Sequence, residues 1–258
     1  MYITDIRAKQ IFNLSLDTLT EFEYSLLEQA LNHFNQAAVL NTNPLEYKVY
    51  ESQYFYQSLD QKVGKRMADQ LSHFIRFNDY LRVTFMKTQA IETNKASYYV
   101  SVAHLIRQAG GSFKKIVSYR DGKLLGENKI ETDQQVLETP HEYDVLTEEE
   151  VALNDDAIST QSGLPCIQDG CCSFRYNGNP FNPEVNYNWC GANCGSGVPV
   201  NDLDTCCRTH DFCYGSFGSY PNRCSCDQTL VDCASFTDNA GTTRVIGAFN
   251  AKMFVMGC

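Results

Sequence analysis

The chain has 258 residues, 43% of them hydrophobic, and a formal net charge of −10. That length holds one large domain or two modest ones. The acidic balance argues against a nucleic-acid partner and against strong electrostatic attraction to anionic membranes, and no apolar run is long enough to span a bilayer.

The N-terminal segment MYITDIRAKQIFNLSL lacks the charged-then-apolar layout of a signal peptide, and one sequon occurs at Asn13-Leu14-Ser15. Residues 17–40 carry apolar side chains at Leu19, Phe22, Leu26, Leu27, Ala30, Leu31, Phe34 and Ala38. This 3/4 spacing predicts an amphipathic helix capped by Asp17 or Thr18. A second helix is expected from Pro44 through Tyr47, Tyr50, Tyr54 and Phe55. A third is expected through Met67, Leu71, Phe74, Ile75 and Leu81. After Gly110-Gly111 the pattern changes, and residues 113–119 and 123–130 flank Asp121-Gly122 as a β-hairpin signal. Residues 131–156 hold ten Asp/Glu, and no Lys or Arg falls between Lys129 and Arg175. A solvated acidic linker over 131–160 follows, with an acidic strap over a site as the sharper alternative. His33, His73, His104 and His141 are scattered and read as surface or core residues rather than ligands.

All 12 cysteines lie between Cys166 and Cys258. The domain expectation is therefore a mostly helical part at 1–130, the acidic linker, and a disulfide-stapled part at 161–258. Such staples form in an oxidising compartment, so the chain is expected to be secreted or otherwise exported, its signal removed, replaced or bypassed. Structural zinc is the weaker alternative, because the spacings are CC, CxxxC and CxC rather than paired CxxC. A helix over 204–214 puts Cys206, His210 and Cys213 on one face and Cys207, Asp211 and Tyr214 on the next strip. A second helix from Asp227 to about Ala234 carries Cys226 and Cys233 on one side. Bridges between the two would bring Asp227 to the buried side of His210. The glycine-rich stretch WCGANCGSGVP at 189–199 suits a loop that wraps a cation with backbone carbonyls.

The ordered set WCG, CCRTHDFC and CSCD over about residues 187–258 resembles the secreted calcium-dependent phospholipases A2, most closely the bee-venom type. The resemblance implies a mainly α fold and hydrolysis of the sn-2 ester of glycerophospholipids at a membrane surface, with Ca2+ as cofactor. It assigns His210 as general base, Asp227 as the carboxylate supporting it, and Tyr214 as a supporting tyrosine. Calcium would be held by Asp211 and by the backbone carbonyls of Trp189, Gly191 and Asn193, with the Gly191 N–H aiding an oxyanion. The same resemblance implies the bridges Cys190–Cys207, Cys206–Cys233, Cys213–Cys226 and Cys224–Cys258, and leaves the pairing of Cys166, Cys171, Cys172 and Cys194 open. The bee-venom type's C-terminal tyrosine has no counterpart near Asn250, and Asn193-Cys194 replaces a common loop glycine. An apolar rim for lipid is expected among Phe212, Phe217, Tyr220, Phe236, Phe249 and Phe254. The N-terminal part is expected to act as a propeptide, a cis inhibitor or a targeting module. The rival functional expectation is a phospholipase-like module that binds a membrane or protein without catalysis.

Overall fold

The computed structural model describes residues 2–57, 64–139, 166, 170–178 and 181–258, with side chains from residue 6. The N-terminal half is a seven-stranded antiparallel meander, each strand pairing with the next in sequence. Its strands are β1 (Tyr2–Ile11), β2 (Glu46–Gln57), β3 (Lys65–Asn78), β4 (Leu81–Ala90), β5 (Ala96–Gln108), β6 (Gly111–Arg120) and β7 (Lys123–Thr132). One α-helix, α1 (Glu21–Asn32), lies in the connection between β1 and β2, within the 17–40 stretch where the apolar spacing predicts one. Its cap is Thr20, whose hydroxyl accepts from the Glu23 N–H at 3.3 Å while the Glu23 carboxylate accepts from the Thr20 N–H at 2.9 Å.

The mainly α expectation, and with it the mostly helical N-terminal half, is overturned by this sheet. The second and third expected helices are strands β2 and β3, with Leu81 opening β4. The misreading has a physical cause, because both faces of the central strands are covered. In β3, Leu71, His73, Ile75 and Phe77 alternate with Ala68, Gln70, Ser72 and Phe74, and nearly all are buried. Small polar residues in a covered face break the period-two signal, and the remaining apolar positions mimic a 3/4 pattern. The hairpin at Asp121-Gly122 does form, joining β6 to β7 with φ of 48° and 76°, the pair of left-handed residues a two-residue turn requires.

One sheet face packs against α1 through Ile75, Val83, Phe85, Val100, Val102 and Val117. The other face meets the cysteine-rich half. That half begins with the short ribbon β8 (Ser173–Arg175) and β9 (Glu184–Asn186), followed by α2 (Asp202–Ser216), α3 (Cys224–Ala234) and α4 (Thr242–Val255). Tyr54, Tyr56, Ala68, Met86 and Tyr99 from the sheet share one core with Leu230, Val231, Val245, Ile246 and Ala251 from the helices. Polar residues on this face bind helix backbone: Gln70 Nε2 donates to the Gly247 carbonyl at 3.2 Å, and Ser118 Oγ to the Ser235 carbonyl at 3.2 Å. A buried ion cluster closes the contact, with Asp238 accepting from Arg82 at 3.0 Å, from Lys114, and from the Tyr176 hydroxyl at 2.7 Å. Burial pushes the Asp238 carboxyl up, but Arg82 and Lys114 outweigh it and hold it well below the usual carboxylate range.

Six disulfides staple the cysteine-rich half. They join Cys190–Cys207, Cys206–Cys233, Cys213–Cys226 and Cys224–Cys258, and the remaining four pair as Cys166–Cys172 and Cys171–Cys194. The acidic linker expected over 131–160 lies outside the described residues from 140 onward. Before that point Leu137 is fully buried and Thr139 donates to Glu46 at 2.5 Å, so this portion is packed on the sheet. His33 meets Glu127 at 2.7 Å, His73 meets the Tyr47 hydroxyl at 2.7 Å, and His104 stacks edge-on with Phe34. His141 lies outside the described residues.

Candidate active site

Helix α2 starts where Asn201 accepts the Asp204 N–H at 3.0 Å, and Asp202 and Asp204 complement the positive end of its dipole. The bridge Cys206–Cys233 joins the start of α2 to the end of α3, and Cys213–Cys226 joins the end of α2 to the start of α3. Both have Cα–Cα distances of 5.7 Å, and together they hold the helices antiparallel. Asp227 in the first turn of α3 thereby faces His210 in the middle of α2, with His210 Nε2 2.9 Å from Asp227 Oδ1. Asp227 is wholly buried and His210 nearly so.

Asp227 is the hub of a larger network. Tyr214 donates its hydroxyl to Asp227 Oδ1 at 2.5 Å, and Tyr220 donates to Oδ2. The two hydroxyls are 2.9 Å apart, and Lys252 Nζ on α4 donates to the Tyr214 hydroxyl at 2.8 Å. Burial alone would raise the Asp227 pKa. The bond from His210, the Lys252 charge and the two tyrosines prevail, and it sits below the ordinary value. Burial, followed by the hydrogen bond to Asp227, pushes both tyrosine hydroxyls well up, so they stay protonated donors. Burial pulls Lys252 down, opposed by the attraction of Asp227. An ionised acceptor ringed by donors leaves His210 Nε2 to carry its proton toward Asp227, and frees Nδ1.

Asp211, next along α2, has Oδ1 3.8 Å from His210 Nδ1. Its Oδ2 is buried and has no hydrogen-bond partner. The loop at 189–199 runs beside it, since a Cβ on Gly195 would lie 3.8 Å from Asp211 Oδ2 and 3.3 Å from the Trp189 ring. The loop's shape is set from several sides. Asp204, fully buried, accepts the N–H groups of Asn188, Trp189, Cys190 and Val200 at 2.8–3.2 Å. The carbonyls of Cys190 and Ala192 accept from Cys172 and Gly170, both at 2.7 Å. Cys194 is tied to Cys171, and Asn193 takes a left-handed φ of 59°. Gly191, with φ 140°, has no room for a side chain, because a Cβ would sit 2.1 Å from the Gly170 carbonyl oxygen.

A cavity of about 490 Å³ opens between the loop, α2 and α4. His210, Asp211 and Lys252 line it together with Phe174, Leu230 and Phe249. Among the described residues, none of the first 139 lines it. Phe212 and Phe217 are exposed and Phe212 packs on Trp189, while Phe249 stacks edge-on against His210 at 4.9 Å. Phe236 instead packs under Gly126 of the sheet, where a Cβ would come within 2.9 Å of its ring. Val198 and Val200, which sequence reasoning left out of the rim, are also exposed near the loop.

The arrangement suits a hard cation. A buried carboxylate oxygen without a partner, beside a loop rich in backbone carbonyls, is the donor set that calcium takes. Among the described residues there is no group of three or more His, Cys, Asp or Glu side chains placed to hold a metal, so such a site would rely on Asp211 and main-chain oxygens. Sequence reasoning missed the part of Tyr220 in the Asp227 network, the four-fold anchoring by Asp204 and the approach of Lys252. Only the last turn of α2, with Tyr214 and the Tyr220-Pro221 loop close in sequence to CSCD, offered a signal for the first of these.

Comparison with known proteins finds relatives over part of the chain. Seventy residues, 27% of the chain, are 40% identical to a basic phospholipase A2 of Micrurus corallinus and cover 47% of that protein. A stretch aligned over 73 residues, 22% of the chain, is 34% identical to an acidic phospholipase A2 of Micrurus dumerilii and covers 62% of it. The chain thus spans about half to three-fifths of the length of these relatives. No family model matches the chain, and no solved structure matches it. The chain contains a phospholipase A2-like region that accounts for about a quarter of its length.

Proposed function

We propose that this protein is a calcium-dependent phospholipase A2 that hydrolyses the sn-2 ester of glycerophospholipids. The observation that carries the reading is the His210–Asp227 pair, hydrogen-bonded by Tyr214 and Tyr220, beside the unpartnered Asp211 Oδ2 in one cavity. His210 acts as general base: Nδ1 takes a proton from water as the water oxygen attacks the ester carbonyl, and later returns it to the departing alkoxide. Asp227 holds the Nε2–H tautomer and stabilises the imidazolium. Asp211 and the carbonyls of Trp189, Gly191 and Asn193 would hold calcium, and the Gly191 N–H donates to the oxyanion. Calcium, when bound, supplies Lewis-acid polarisation of the ester carbonyl and charge for the substrate phosphate. Phe212, Phe217, Val198 and Val200 meet the lipid surface, and the six disulfides support an oxidising compartment. The sheet serves as a scaffold for the helices, and none of its described residues lines the cavity.

The test is fatty-acid release from phosphatidylcholine vesicles by the full chain, with calcium or chelator, beside its His210→Gln variant. Release that needs both calcium and His210 supports the enzyme. Vesicle binding without release by the calcium-loaded wild type would point to the non-catalytic module.

A further inference from the structure

Lys252 is a cation in an apolar setting. It lines the cavity with Phe249, 4.9 Å from that ring, 5.0 Å from the Tyr214 ring and 5.9 Å from the Tyr220 ring. Among the described residues no carboxylate lies within salt-bridge distance of Nζ, and its single hydrogen bond goes to the Tyr214 hydroxyl at 2.8 Å. Its attraction to Asp227 is exerted across that hydroxyl. An apolar side chain would fill such a place at lower desolvation cost, so the charge calls for a purpose.

The donor rules supply one. An ammonium can only donate, so the Tyr214 oxygen must accept from Lys252. The one Tyr214 proton is then left for Asp227 Oδ1 at 2.5 Å or the Tyr220 oxygen at 2.9 Å. The carboxylate is the charged acceptor at the shorter distance, and the ammonium polarises the O–H toward it. Oδ1 is the same oxygen that takes His210 Nε2 at 2.9 Å.

We propose that Lys252 is a positioning residue of the active site, acting through Tyr214 on Asp227 Oδ1 to hold His210 in the tautomer with Nδ1 free. The lysine is itself fixed from behind. Gln70 of β3 binds the Gly247 carbonyl on α4, Arg120 of β6 reaches Asn250 at 3.5 Å, and Cys224–Cys258 ties the chain just beyond α4 to the start of α3. The seven-stranded sheet thus reaches the chemistry through the helix it carries.

This inference rests on the hydrolase reading for its kinetic arm alone. The experiment compares the full-length wild type, Lys252→Met, Lys252→Arg, Tyr214→Phe and the Lys252→Met/Tyr214→Phe double variant. One readout is kcat and KM on phosphatidylcholine vesicles. The other is the His210 tautomer by 15N imidazole NMR at fixed pH, which needs no activity. Lys252→Met is expected to lower kcat by roughly ten-fold or more with KM little changed and to mix the tautomers. Lys252→Arg keeps a donor and is expected to restore most of both, while Lys252→Met adds nothing once Tyr214 is Phe. An unmixed tautomer in Lys252→Met, or equal loss in the Met and Arg variants, overturns the proposal. Inactive wild type with the tautomer response intact would sink the hydrolase reading and leave the positioning role standing.

Discussion

Asp227 and Asp204 are buried carboxylates with opposite duties. Asp227 collects donors around one histidine, and Asn in its place keeps the volume but offers His210 one neutral oxygen. Asp227→Asn is expected to reduce kcat by about 10²–10⁴ while calcium binding, measured by titration calorimetry, stays near wild type. Calcium affinity lost in proportion to kcat would show that the carboxylate serves the loop instead. Asp204 holds four backbone N–H groups of the loop, and none of these has an equal acceptor if it is removed. Asp204→Ala should cost about 3–5 kcal/mol of stability, the toll of stranding several buried donors. Urea unfolding gives the check. A change under 1 kcal/mol would mean that water replaces the carboxylate.

At the scale of elements, the loop at 189–199 is held by glycine conformation and disulfide together. Gly191→Ala combines an unfavourable φ with a clash against the Gly170 carbonyl, so the loop must move. Calcium-dependent hydrolysis should fall steeply while the thermal midpoint of the whole protein shifts by only a few degrees; unchanged activity would place the cation elsewhere. The helix pair was readable from spacing, because one turn of α-helix repeats closely enough to put Cys206, His210 and Cys213 in a row. Strands β2 and β3 were not, since their alternation is hidden by small polar residues under a second layer. Gln70 and Ser118 sit inside because α4 and the end of α3 approach the sheet closely and offer carbonyls to bind, while Ser72 and Thr88 bond the Gln70 side chain. No local rule announces such a partner.

At the scale of the molecule, sheet and helices share a core and a buried ion cluster. Asp238→Asn would leave Arg82 and Lys114 facing each other without a counter-charge, and about 3–5 kcal/mol should be lost. Fluorescence and far-UV circular dichroism should follow one coincident transition, whereas separate transitions would show the halves folding independently. Acid sensitivity has a further source in His73, which burial lowers from 6.5 to about 4. Between those values the unfolded chain binds a proton that the folded one refuses, so stability falls as the pH drops from about 6.5 to about 4 and levels off below. The loss by pH 5 is on the order of 2 kcal/mol. His73→Gln should flatten that part of a urea-unfolding series against pH, and an unchanged slope would assign the sensitivity to other groups.

The sequence by itself determined the helix within 17–40, the Asp121-Gly122 hairpin and the helix that carries His210 and Asp211 on neighbouring strips. Each depends on neighbours within a few turns of chain, where residue type and period suffice. Tertiary structure decided the rest: that the N-terminal half is a sheet, that Tyr220 and Lys252 join the Asp227 network, and that Asp204 gathers the loop. These depend on which groups meet across long sequence separations, and the energy of a buried polar contact is settled by the partner it finds there.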